Sequence, residues 1–98
     1  MNHNYFVYIV TNTTKSVLYI GVTNDLLTRL TQHYEKRGNS KTFAGRYYCY
    51  YLIYWERHVS IHHAIEREKE IKKWSRTKKA KLIESLNPEW KWLNDEIG

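Results

Sequence analysis

The chain has 98 residues, 42% of them hydrophobic, including nine Tyr, four Trp and two Phe, which excludes a disordered polymer and allows one domain with a modest core. A single cysteine excludes both an internal disulfide and a cysteine zinc cluster. Sixteen Lys plus Arg against ten Asp plus Glu leave a net charge of +6, which suits a polyanion partner.

No apolar run approaches the roughly 20 residues that would cross a bilayer. The first such run, Tyr5–Val10, is too short for the core of a secretory leader. The sequence therefore predicts one domain spanning residues 1–98, cytoplasmic, monomeric, and with neither a membrane nor an obligate protein partner. Residues 67–81 (REKEIKKWSRTKKAK) hold eight of the sixteen cations, whereas residues 84–98 carry four acids and one lysine. The basic segment reads as a face rather than a tail. Two readings of it stay open, a nucleic-acid-binding face and a solvated helix surface.

Taken in chain order, YFVYIV at Tyr5–Val10 and VLYIGV at Val17–Val22 are rich in β-formers. The short polar link TNTTKS predicts an antiparallel hairpin. Thr23 or Asn24 is the expected N-cap of a helix over Asp25–Glu35, with Leu26, Leu27, Leu30 and Tyr34 inward and Gly38 and Asn39 as its stop. Residues 38–46 (GNSKTFAGR) read as a flexible loop, and Tyr47–Trp55 (YYCYYLIYW) as a buried third strand. Ser60 caps a second helix running to about Trp74. Ser75 or Thr77 opens a third that ends near Leu86, before Pro88. The tail EWKWLNDEI adds at most a helical turn. The order ββαβαα predicts an α/β sandwich (α+β), a three-stranded antiparallel sheet flanked by helices.

One residue breaks the pattern. At 100° per residue, Ile61, Ala64, Ile65 and Ile71 share a face of the second helix, and Glu68 falls inside that arc while Glu66 and Glu70 point away. An inward carboxylate is costly unless it is paired or holds a metal, so an ion pair with an arginine of the first helix and a metal site both remain open. On the first helix, His33 shares the arc of Leu26 and Leu30, with Arg29 at its edge one turn earlier. Arg29 offers a planar fork of donors for a phosphate gaining charge. Glu68 offers a ligand for one divalent cation, and a tyrosine hydroxyl beside both would be depressed in pKa and serve as a general base. Acidic clusters of the two-metal kind are absent.

These residues carry a resemblance. VYI at 7–9, with Phe6 in the place of the name-giving glycine, and YIG at 19–21 are similar to the two motifs of the GIY-YIG nuclease superfamily. GVTNDLLTRLTQH resembles its arginine-bearing helix, AIEREKEIKKWSRTKKAKLI its REKxIKxW segment, and NPEWKWL its closing NPxW. The likeness covers essentially the whole chain and is nearest to the small stand-alone bacterial members. It implies a site of Tyr8, Tyr19, Arg29, His33, Glu68 and Asn87 that hydrolyses phosphodiesters of DNA, with RNA as the alternative substrate, and a structure-selective action in repair or recombination as its finer form. One ion per site, Mg²⁺ or Mn²⁺, is implied on Glu68. Tyr8 would help activate water, Arg29 steady the phosphate, and Tyr19 and His33 position these groups or assist proton transfer. Lys69, Lys72, Lys73, Arg76, Lys78 and Lys79 are the expected nucleic-acid contacts. The competing reading is a non-catalytic nucleic-acid-binding module that keeps the fold.

Overall fold

The computed structural model describes residues 3–97. Its strands are β1 (Tyr5–Thr11), β2 (Leu18–Thr23) and β3 (Tyr51–His58), and its helices α1 (Leu26–Glu35), α2 (Phe43–Arg46), α3 (Ile61–Lys73) and α4 (Arg76–Leu86). A 3₁₀ turn at Asn94–Glu96 closes the tail. The sheet is three-stranded and antiparallel, as the fold reading anticipated, and the structure sets its order as β2-β1-β3. The central strand is covered on both faces, so Val7 to Val10 are all fully buried and form an apolar run rather than an alternation.

Alternation along β1 still assigns each side chain to a layer. Val7 and Ile9 pack with Ile20, Ala64, Ile71 and Ile83 beneath α3 and α4. Tyr8 and Val10 pack with Leu26, Leu30, Ala44 and Leu93 beneath α1 and α2. A bulge in β3 adjusts this register, because Ile9 faces Tyr54 while Val10 faces Leu52, leaving Ile53 as the extra residue. Ile53 and Tyr54 consequently both serve the α3/α4 core.

Several local readings change. The α1 cap is Asp25, whose carboxylate accepts from Thr28 N at 3.1 Å, not Thr23 or Asn24. Leu27 and Tyr34 are half exposed, because the buried stripe of α1 is Leu26, Leu30 and His33. Tyr34 instead lies under the Arg37 guanidinium, 3.9 Å from its ring centroid. Residues 38–46 contain α2, with Ala44 and Gly45 buried, so this segment is packed rather than loose. The third strand begins at Tyr51 instead of Tyr47, since Tyr48 takes a left-handed φ of 57° that ends α2 and interrupts extended chain. Ser60 and Ser75 cap α3 and α4 as expected.

Asn87 belongs to the scaffold. Its Nδ2 donates to the carbonyls of Ile53 and Lys91, both at 2.9 Å, and its Oδ1 accepts from Lys91 N at 3.0 Å. The buried amide thereby clasps β3, the end of α4 and the tail, and has no donor left for a substrate. Asn87→Ala should lower unfolding stability by about 1–3 kcal/mol, the cost of stranding buried backbone groups. A lower urea midpoint at unchanged m-value would show this, and an unshifted midpoint would refute the clasp.

Candidate active site

Tyr8 stands opposite Gly21 across the β1–β2 ladder. A Cβ at Gly21 would sit 2.5 Å from both Cζ and Oη of Tyr8. The glycine of YIG is therefore a gap through which the Tyr8 ring crosses β2, and its backbone has no left-handed φ to explain it otherwise. This crossing carries the hydroxyl to α1, whose inward stripe supplies two partners one turn apart. Arg29 Nε donates to Tyr8 Oη at 3.2 Å, and His33 Nε2 lies 2.8 Å from the same oxygen.

The electrostatics assign the protons. Burial pushes the Tyr8 phenol up to about 12, outweighing the lowering by Arg29. The expectation of a depressed tyrosine is thus reversed in the free protein, because desolvation of the phenolate dominates. Burial, followed by the charges of Arg29 and Lys36, brings His33 down to about 4. At neutral pH both groups are uncharged. The oxygen accepts from Arg29, and a Tyr8 proton directed at His33 Nε2 requires the imidazole to carry its hydrogen on Nδ1. Arg29 remains a cation: burial opposes its charge, but the Tyr8 and Tyr19 oxygens more than offset this.

The Tyr19 ring meets His33 edge-on, with centroids 5.3 Å apart. Tyr19, Arg29 and His33 line a cavity of about 160 Å³ together with Gln32, Lys36 and Phe43. Glu68 is not part of that lining. Its carboxylate is nevertheless near enough for its charge to oppose ionisation of Tyr8. The structure thus gathers Tyr8, Tyr19, Arg29 and His33 directly, leaves Glu68 outside their contacts though within reach of Tyr8 by its charge, and sends Asn87 elsewhere.

A family model described as the GIY-YIG catalytic domain matches residues 4–81. The chain belongs to the GIY-YIG family. Two relatives named UPF0213 protein are each 36% identical to it. The one from Bacillus pumilus (strain SAFR-032) aligns over 89% of this chain and 86% of its own length. The one from Staphylococcus aureus (strain Mu3 / ATCC 700698) aligns over 82% and 94%. The solution NMR structure of the UPF0213 protein from Bacillus halodurans is 30% identical, covers 89% of each chain and superposes with a TM-score of 0.56. Membership places the chain in a nuclease superfamily, whose members generally use divalent metals and act on nucleic acid.

Among the described residues of this GIY-YIG domain, Glu68 is the carboxylate whose charge bears on Tyr8. Its side chain is 16% exposed, and its recorded ion-pair partner is Lys72 at a loose 3.6 Å, not the arginine of the first helix. Glu66 is exposed, and Glu70 pairs with Arg67. Among the described residues no group of three or more His, Cys, Asp or Glu is arranged to hold a metal. A closed protein cage is therefore excluded there. A hard cation that keeps its waters and takes one carboxylate plus substrate oxygens fits the donor set.

Gln32, Lys36, Thr42 and Phe43 of the cavity escaped the sequence reading. Gln32 had a usable signal, since it lies three residues after Arg29, and its Oε1 accepts from Arg29 Nη1 at 3.1 Å. Thr42 and Phe43 had none, because they arrive from the segment read as a loop, and Lys36 stands at the C-cap of α1 just before it. The six expected nucleic-acid contacts within the basic segment are not equivalent either. Arg76 donates to the carbonyls of Ser16 and Lys15, and Lys78 lies over the Trp74 ring. Lys69, Lys73 and Lys79 have no recorded ion-pair or aromatic partner among the described residues.

Two outcomes test this geometry. Gly21→Ala should cost about 1–3 kcal/mol of stability by overpacking and push the hydroxyl off His33. Retention of the wild-type His33 ring shifts in that variant would contradict the gap. In long-range ¹H–¹⁵N spectra of the wild type, His33 should be the Nδ1–H tautomer and titrate near pH 4. Because its folded pKa lies below the unfolded 6.5, the associated stability is complete above pH 6.5 and is lost as pH falls through about 4. Titration near 6.5 would refute the buried neutral ring.

Proposed function

We propose that this protein is a divalent-metal-dependent endonuclease that hydrolyses phosphodiester bonds in DNA. The observation that carries this reading is the buried Tyr8 hydroxyl, held between a cationic donor and a neutral imidazole that both line a basic cavity. A water attacking phosphorus must lose a proton. The Tyr8 oxygen accepts it while passing its own proton to His33 Nε2 across 2.8 Å, so no free phenolate has to form at its high pKa.

The negative charge of the bound phosphate raises the basicity of His33, and release of the strand returns the proton to solvent. Arg29, held by Gln32, donates to the phosphate oxygens as charge builds on them. Tyr19 packs against His33 and keeps the ring aligned. A single Mg²⁺ or Mn²⁺ on Glu68 and the substrate's own oxygens would supply neutralisation of the phosphate and the leaving oxygen. Lys69, Lys73 and Lys79 supply sequence-independent attraction to the backbone. A structure-selective role in repair or recombination is the finer form of the same reading.

The competing reading, a binding module without turnover, draws support from a phenol and an imidazole that are both poor bases in the free protein. One assay separates the two. Supercoiled plasmid, branched DNA and structured RNA are incubated with protein in Mg²⁺, Mn²⁺ or EDTA. Wild type should nick DNA only with the ion, Glu68→Ala should lose that activity while remaining folded, and Arg29→Ala should lose about 10²–10³ in turnover with little change in affinity. Equal cleavage by wild type and Glu68→Ala would refute the metal assignment. Binding without cleavage of any substrate would leave the module reading.

A further inference from the structure

Residues 36–48 (KRGNSKTFAGRYY) contain four cations, no acid and three aromatic side chains that remain exposed, Phe43, Tyr47 and Tyr48. Exposed aromatic rings are normally costly, and here they stand beside the phosphate-sized cavity. Phe43 lines the cavity yet is 53% exposed. One side of its ring lies against Tyr19, with centroids 6.3 Å apart and planes 28° from parallel. Tyr47 braces it at 4.9 Å.

The mounting is rigid. Thr42 caps α2 through Gly45 N at 3.0 Å, Gly45 O accepts from Gly38 N, and Ala44 O accepts from Cys49 N, both at 2.8 Å. A methyl group at Gly45 would fall 2.6 Å from Lys36 O and 2.7 Å from Asn39 O, so the turn is closed tightly onto the end of α1. A half-exposed ring on such a base is preorganised for a flat partner.

We infer that Phe43, braced by Tyr47, is a stacking shelf for a nucleobase that has left its own stack, adjacent to the phosphate held by Arg29 and Lys36. This rests on the nucleic-acid reading above and names the form of substrate it favours: a strand with an unpaired base next to the target phosphate. The charge of the segment selects a polyanion over an apolar protein partner. The flat aromatic surface selects a base over phosphate alone, since stacking tolerates any base and needs no hydrogen-bond code. Tyr19 couples the shelf to the site, because it touches Phe43 on one side and His33 on the other.

The test compares binding of an ordinary single-stranded oligonucleotide with an abasic strand of the same length and charge, at low salt in EDTA so that nothing is cut. Wild type should prefer the base-bearing strand. In Phe43→Leu, which keeps an apolar side chain, that preference should fall about fivefold or more, and Phe43→Trp should restore it. A thermal midpoint matching wild type confirms that Phe43→Leu is folded. An identical preference in wild type and Phe43→Leu overturns the shelf. Failure of wild type to bind either strand removes the nucleic-acid reading and the shelf together. Cleavage in parallel Mg²⁺ reactions is scored separately, so a shelf without turnover and turnover without a shelf are distinct results.

Discussion

The passage of the Tyr8 ring over Gly21 is the constraint on which the site depends. Tyr8 sits on the central strand, fully buried, where a phenol would ordinarily be sealed inside the core. A side chain at Gly21 would close the route, and the hydroxyl would have neither Arg29 nor His33 as a partner. With the route open, one oxygen joins the sheet to α1 and defines the proton's position. The high phenol pKa and the low imidazole pKa are two results of the same burial. Each group is kept neutral, because the same desolvation disfavours both the phenolate and the imidazolium.

The opposite layer has its own anchor. Arg67 grips Glu56 of β3 through Nε at 3.0 Å, while Tyr54 donates to the same carboxylate at 2.6 Å and His58 lies 2.5 Å from it. These partners outweigh burial and hold the Glu56 carboxyl below its usual range. Because Arg67 is adjacent to Glu68 on α3, fixing Arg67 on the sheet also fixes the rotation at which Glu68 is presented. Ala64 and Ile71, both fully buried, set the depth of the helix. The same turn of α3 thus carries a structural ion pair on one side and the candidate metal ligand on the other.

Two elements mark the difference between charge as composition and charge as arrangement. The basic run of α3 and α4 looked uniform, yet Arg76 is spent on the β1–β2 turn and Lys72 on Glu68. The acid-free segment around α2 reads as a loop by composition, yet together with the end of α1 it brings Lys36 and Phe43 to the cavity wall.

The sequence by itself determined the layer architecture, the β1–β2 hairpin, two of the helix caps and the inward phase of His33 and Glu68, with Arg29 at the edge of its arc. All of these follow from periodicity and capping, which are local and survive translation into any tertiary setting. It did not determine the ends of β3, the packing of residues 38–46, the fate of Asn87 or the protonation of Tyr8. Those depend on what a residue meets from elsewhere in the chain. A tyrosine-rich run favours strand until Tyr48 must end α2, and Asn87 looks available until Ile53 and Lys91 claim its amide. The Tyr8 phenol was expected to ionise easily beside an arginine. Only the folded chain sets desolvation against that charge, and there the burial wins.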